Sequence, residues 1–249
     1  MWYFRALHRH IFRLLQQGLG NEKNARVLDA GCGTGGLLRR LHEREPHWHL
    51  SGVDVSPLAC ELARQRTAAE IREASVTALP FDDSSFDAIV AADVIYQLDR
   101  PGEAVAEFTR CLRPGGFVVM NVAAYQWLWS YHDEAVGSKH RFRRGEVTRL
   151  MEAAGLVPVS STYWNTLPFP LIVAKRKLLR SAGRGDVQLY PKPVEAILNA
   201  LMAAEHFWLE KIGRMPFGSS VLAMGRKGEG GSSSPQLDAN GPESLRGND

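Results

Sequence analysis

Cysteine is scarce in this chain, three in 249 residues. Cys32, Cys60 and Cys111 are odd in number, widely spaced and lack a C-x-x-C pair. That argues against a disulfide framework or a thiolate zinc site, so no metal is expected and a reducing, cytoplasmic setting is. No stretch of eighteen or more apolar residues occurs, which excludes a membrane-spanning helix. An excess of one charge is missing too: 30 Lys and Arg face 27 Asp and Glu, a net charge of +3. A balance that even gives no ground for a nucleic-acid partner unless the cations are gathered into a patch. The first residues are basic but have neither an uninterrupted apolar core nor a small-residue cleavage site, so they do not read as an export signal. No internal repeat is visible.

What is present is the make-up of an ordinary globule, 45% hydrophobic and 23% charged. Tyr3, Phe4, Leu7, Ile11, Leu14 and Leu15 recur at three- and four-residue intervals, which predicts an amphipathic helix. Strands and helices then alternate. Residues 25–30, 49–55 and 86–93 read as buried strands, 117–123 as another, and a weak strand falls near 71–76. Helices are expected over 35–43, after Ser56-Pro57, over 102–112 and over 145–156, with Cys60 and Cys111 as helix core residues. This order implies a parallel sheet built from right-handed βαβ units. "VPVSSTYW" and "SSVLAMGRK" (219–227) supply later strands, two helical stretches flank an expected loop at 181–193, and 228–249 is expected to be disordered.

The chemistry concentrates in "VLDAGCGTGG", Val27 to Gly36. Gly31, Gly33 and Gly36 match the G-x-G-x-x-G spacing of dinucleotide sites, and Asp54 ends the next strand where it can accept hydrogen bonds from ribose hydroxyls. The glycine loop alone suits a hydride-transfer enzyme or a methyl-transfer enzyme equally. Three features separate them. Asp29 beside the loop would repel a diphosphate and attract a sulfonium or an ammonium group. "ALPFDDSSFDAIVAAD" places a Leu-Pro-Phe turn before the buried strand, and "LRPGGFVVM" puts a Pro-Gly turn immediately before the fifth.

These linked motifs, in order from Ala25 to Met120, resemble the class I S-adenosylmethionine-dependent methyltransferases of the type 11, ubiquinone-biosynthesis-like group. The resemblance implies an α/β, Rossmann-like, seven-stranded and mostly parallel sheet with helices on both faces and the last strand antiparallel. One domain would span 1–227, with a cover helix at 1–20, an acceptor-side loop at 125–145 and a helical cap at 165–215. It also implies S-adenosyl-L-methionine as cofactor. Asp29, Gly31, Cys32 and Gly33 would surround the methionine moiety, Cys32 through its backbone. Asp54, with Val55 next to it, would hold the ribose, and Ala92 and Asp93 would line the inner side. Ser75-Val76 departs from the group's Asp-Ala, so an adenine amino group would meet a hydroxyl where relatives offer a carboxylate. Trp2, Tyr3 and Arg5 would act as a lid, or their helix would simply cover the sheet edge.

Moving a methyl group off a sulfonium is an in-line displacement that needs positioning, and a hydroxyl acceptor also needs a base. The stretch "YQWLWSYHDEAVGSKHRFRRGEV" offers His132, oriented by Asp133, as the first candidate and His140 as the second. Arg141 and Arg144 would grip an anionic group, with Tyr96 and Tyr125 lining the acceptor's place. Apolar residues mixed with cations in 165–215 suit a small-molecule acceptor, hydrophobic or anionic, or a peripheral membrane contact. Nucleic acid is disfavoured: "ADVIYQL" lacks the Asp/Asn-Pro-Pro-aromatic turn that holds a flipped base, and no cysteine follows a proline. Two rivals remain, a nicotinamide-dependent oxidoreductase and a non-catalytic protein that keeps the fold. Titrating the protein with S-adenosylmethionine and, separately, with NADH separates them. Saturable heat with the first alone is expected, and heat with NADH alone would reverse the reading.

Overall fold

The computed structural model describes residues 1–178 and 190–229. Positions 181–189 of the expected loop and 230–249 of the expected tail lie outside the described residues. The chain opens with α1 (Trp2–Leu19). There follow β1 (Arg26–Ala30), α2 (Gly36–Arg44), β2 (His49–Asp54), α3 (Pro57–Arg66) and β3 (Glu70–Glu73). Next come β4 (Phe86–Ala92), α4 (Pro101–Cys111), β5 (Leu112–Ala123), α5 (Tyr131–Ala135) and α6 (Arg144–Ala153). The last elements are β6 (Leu156–Trp164), α7 (Phe169–Leu178), α8 (Lys192–Ile212) and β7 (Ser220–Lys227).

Local sequence explains most of these boundaries. The α3 N-terminus carries Pro57 at a position where its missing N–H costs nothing, and the Ser56 hydroxyl accepts from the Ala59 amide at 3.3 Å. Both β1 and β4 are apolar because helices cover both of their faces. The Pro-Gly pair expected before β5 lies instead within it: the strand starts at Leu112, its register against β4 shifts between Phe86 and Ala88, and Gly115 takes φ 76°. There β5 advances five positions while β4 advances two, and three extra residues are accommodated as a bulge, so the turn signal is genuine but the ladder runs through it.

The seven strands lie in the order β3-β2-β1-β4-β5-β7-β6. All neighbours are parallel except β7, which inserts between β5 and β6 and runs antiparallel to both. Apolar side chains of α1, α2 and α8, among them Leu7, Leu38 and Met202, fill one face of the sheet. Those of α4 and α6, including Phe108 and Met151, fill the other. Cys60 and Cys111 are completely buried, one in each layer. Strand order reverses between β1 and β4, so a crevice opens there beyond the strands' carboxyl ends, the general place for a ligand in such sheets.

One buried carboxylate ties α8 to the rest. Glu205, with no exposure, accepts backbone N–H groups of Asn165, Thr166 (2.8 Å) and Leu167 (3.0 Å) where the chain leaves β6, at a point where Asn165 takes φ 61°. Burial raises its pKa, opposed by those three donors. Replacing Glu205 with Ala strands three buried amides, and each stranded donor costs about 1–3 kcal/mol. A loss of about 3 kcal/mol or more in urea unfolding is expected for Glu205→Ala, with Glu205→Gln recovering part of it; an unchanged midpoint would show that α8 is held by apolar packing alone.

Candidate active site

The crevice is built from backbone geometry first. The Gly31 and Cys32 amides both donate to the Val53 carbonyl, at 2.8 and 2.9 Å, which folds the loop after β1 back against β2. Gly31 sits at φ 85°, and a Cβ there would come within 2.9 Å of Val94. Gly35, at φ 75°, caps α2 and would bring a Cβ within 2.9 Å of Thr67. These two positions require glycine. Asp54 then joins the loops: one carboxylate oxygen accepts the Gly33 amide at 2.8 Å, the other the Ser56 amide at 2.9 Å. Each oxygen keeps a lone pair, and together they present an acceptor pair of the kind a ribose diol requires.

Asp29 is the unusual group. It is 2% exposed, and its side chain forms no hydrogen bond or ion pair among the described residues. Burial, then the neighbouring Asp54 charge, pushes its carboxyl up to about 7. A buried carboxylate without a donor or cation is costly, and a cationic ligand group repays that cost. Burial, then Asp29 and Asp54, also raises the Cys32 thiol well above its ordinary range, so Cys32 contributes its backbone and no thiolate. Val55 is left 67% exposed just past Asp54, an apolar surface with nothing covering it. Val76 is buried, and the Ser75 and Thr77 hydroxyls bond each other at 2.8 Å.

On the inner side, Asp93 follows β4 with φ 60°, a conformation that non-glycine residues adopt only where surroundings hold them. The Tyr3 hydroxyl donates to one of its oxygens at 3.0 Å and the Asn121 amide to the other at 2.7 Å. Trp164 in turn donates to the Asn121 carbonyl oxygen at 2.7 Å. Burial lifts the Asp93 carboxyl to about 6 against the pull of these donors, and it lifts the Tyr3 and Tyr96 phenols as well. Asp93, Tyr3 and Tyr96 line a cavity of about 260 Å³ with His132, Arg141 and Ile172. Trp2 lines it too, and its backbone N–H donates to Glu195 of α8 at 3.0 Å.

The acceptor-side loop is arranged around Asp133. Its carboxylate caps α5 through the Ser130 amide (2.9 Å), receives Nε of Arg141 at 2.6 Å and faces Arg176 at 3.6 Å. Arg141 is buried and also donates to the Ala124 carbonyl at 2.6 Å. Burial and the Arg176 charge lower its pKa. Asp133 therefore serves as the anchor of two arginines, and Arg141 meets the cavity already engaged. His132 lies on the cavity wall; His140 does not, being 46% exposed with Nε2 3.9 Å from Glu146 and its ring edge-on to Phe142. Arg144 donates its backbone N–H to the Tyr163 hydroxyl at 3.3 Å. Tyr125 takes φ 60° and stacks on Tyr163 with ring centres 5.0 Å apart, beside the cavity lining. Sequence reasoning passed over Asn121, Trp164 and Arg176. Asn121 had a usable signal, one amide in the otherwise apolar strand "FVVMNVA", since a buried polar group is the informative kind.

Comparison with known proteins agrees with this geometry. The family model described as a methyltransferase domain matches residues 28–120. The malonyl-[acyl-carrier protein] O-methyltransferase of Pseudescherichia vulneris is 30% identical over 188 residues, 71% of this chain and 72% of that protein. The chain belongs to the class I S-adenosylmethionine-dependent methyltransferase family. A second relative, the demethylmenaquinone methyltransferase of Deinococcus radiodurans, is 36% identical over 100 residues, 38% of this chain. The matched part spans only 42% of that relative's length, about half or less being usual among the curated relatives. In fold, the chain is similar to geranyl diphosphate C-methyltransferase from Streptomyces coelicolor A3(2), with a TM-score of 0.60 at 19% identity, covering 89% of this chain and 79% of that one. Membership sets aside the nicotinamide-dependent oxidoreductase reading, and S-adenosylmethionine is the family's cofactor. Its cationic sulfonium and ammonium fit a crevice whose buried Asp29 lacks a partner. For this methyltransferase, Asp54→Ala is expected to weaken S-adenosylmethionine binding about 10- to 100-fold, the worth of one or two hydrogen bonds to a charged group. Asp29→Asn should weaken it by about tenfold. Calorimetric affinities equal to wild type in both variants would remove these residues from the cofactor site.

Proposed function

We propose that the protein transfers a methyl group from S-adenosylmethionine to an oxygen atom of a small molecule held in the cavity beneath α1. The observation that carries this reading is a juxtaposition. An unpartnered buried carboxylate and a diol-matched carboxylate stand by the glycine loop, whose Gly31 packs on Val94, the residue after Asp93 of the cavity wall. When bound, the cofactor supplies an electrophilic methyl on a positively charged sulfur.

The chain's own residues do the rest. Asp29 neutralises ligand positive charge, Asp54 fixes the ribose, and Val55 with Val76 offers apolar surface to the adenine. Trp2 and Tyr3, pinned through Glu195 and Asp93, act as the lid that keeps water from the reacting atoms. The elements from 165 to 215 close the acceptor side: Ile172 supplies apolar wall, and Arg141, held by Asp133, sets a guanidinium on the same wall, which suits an acceptor carrying an anionic or polarised oxygen. Two bases stand on the wall. His132 is the one expected from the sequence. Asp93 is the one the fold adds: ionised at neutral pH with its carboxyl near 6, held by Tyr3 and Asn121, and able to receive the acceptor's proton. In this account His140 and Arg144 shape the loop.

The sign of the pH dependence follows. Asp93 accepts a proton only when ionised, so kcat at saturating methyl donor should rise with pH through about 6 and level off above it. Screening candidate acceptors with methyl-labelled donor, then measuring kcat across pH, tests this. Asp93→Asn should lower kcat by about 100-fold and flatten the rise, and His132→Ala should lower it by about tenfold or more. Unchanged kcat in both variants would contradict transfer to a hydroxyl, and tight cofactor binding with no acceptor methylated would favour the non-catalytic reading.

A further inference from the structure

A second cavity, of about 730 Å³, lies where α1, α2 and α8 meet, and it shares no residue assigned to the cofactor. Its character is set by Arg5 and Arg9 from α1 and by Arg39, Arg40 and Arg44 from α2, with His8 between them. Glu43 is the only carboxylate among its lining residues. It faces Arg39 at 3.7 Å and is itself 59% exposed, so it offsets little. Five arginines against one glutamate leave four positive charges uncompensated. The side chains of Arg5, Arg9 and Arg40 form no hydrogen bond or ion pair among the described residues, and Arg44 lies over the Phe12 ring at 4.6 Å. His8 presents a buried Nδ1 with no hydrogen-bond partner. The α8 wall is neutral, made of Ala196, Asn199, Met202 and Ala203, and brings no carboxylate to the space.

Like charges crowded this way repel, and burial of Arg40 adds to the cost. Both effects lower its pKa, with Arg5, Arg39 and Arg44 as the repelling neighbours. A surface run of arginines on one helix would simply spread into solvent. Here two helices bring theirs to the same hollow from sequence positions thirty or more residues apart. Guanidinium groups match phosphate oxygens two at a time, and a single carboxylate cannot satisfy four excess cations. The volume also lies within the range of small-ligand sites, far above that of one oxyanion.

We propose that this cleft binds a multiply charged phosphate group, an oligophosphate or a phosphate-bearing headgroup, at a site distinct from that of methyl transfer. The proposal does not depend on the methyl-transfer reading, since its ligand, residues and readout differ.

Titration of the full chain with sodium triphosphate at low ionic strength tests it directly and needs no variant. Saturable binding is expected, with affinity falling steeply as salt is raised. Arg40→Gln should raise the Kd by about tenfold and Arg9→Gln with Arg40→Gln by about a hundredfold, while S-adenosylmethionine affinity and Tm stay at wild-type values. Flotation with vesicles of phosphatidylcholine alone or with added phosphatidic acid identifies the source. Recruitment by phosphatidic acid that triphosphate reverses indicates a lipid headgroup; triphosphate binding without recruitment indicates a soluble phosphate. No saturable binding up to about 1 mM triphosphate, or a Kd indifferent to both variants, would overturn the proposal. Either failure would leave cofactor binding untouched, so it would not be confused with failure of the proposed reaction.

Discussion

Two parallel strands end side by side, each in a carboxylate, and the one deeper in the protein has nothing positive to face. Asp29 is buried at the exit of β1, Asp54 stands at the exit of β2, and the backbone between them is turned by glycines so that main-chain amides serve Asp54 and leave Asp29 alone. Burying an uncompensated charge costs several kcal/mol unless the group takes up a proton. The protein bears that cost at the switch point of its sheet, where strand order sends neighbouring loops apart. A ligand bringing positive charge and a diol to that place relieves both carboxylates together. The glycine turns of the loop serve that arrangement, and a cationic methyl donor is the kind of ligand it suits.

The second constraint is long range. Tyr3, Asp93, Asn121 and Trp164 join α1, β4, β5 and β6 through hydrogen bonds that cross as many as 118 positions of sequence. They hold Asp93 in a left-handed conformation and shape the cavity beneath the first helix. Glu205 does similar work for α8, so α1 and α8 are both fastened by buried carboxylates rather than by apolar contact alone. A network of this kind must be satisfied completely, because any member removed leaves another unpaired in a low-dielectric setting.

Periodicity and spacing made much of this legible. Alternating strands and helices, the glycine loop and the acid closing β2 are local patterns, and each is where the sequence indicates, as are the buried Cys60 and Cys111. The antiparallel sense of β7 came from resemblance, and its place between β5 and β6 from the fold alone, since nothing in "SSVLAMGRK" says which strands it joins. The Pro-Gly pair before β5 looked like a turn because turn chemistry is local, whereas its absorption as a bulge depends on pairing with β4. Asp133 was read as the partner of its neighbour His132. It caps its own helix and holds Arg141 and Arg176, one of them forty-three positions away, which no local pattern announces. The arginines of α1 and α2 belong to separate local patterns, and only the fold brings them to one hollow.

Proton linkage tests the central claim most directly. With its carboxyl near 7, Asp29 is about half protonated at pH 7, and a cationic ligand binds the ionised form, so binding must expel the remaining proton. Calorimetry of S-adenosylmethionine binding at pH 7, in two buffers of different ionisation enthalpy, should report release of about half a proton per ligand bound, and Asp29→Asn should release none. Buffer-independent heats in the wild-type protein, or release that survives the substitution, would show that Asp29 is not the group the methyl donor neutralises.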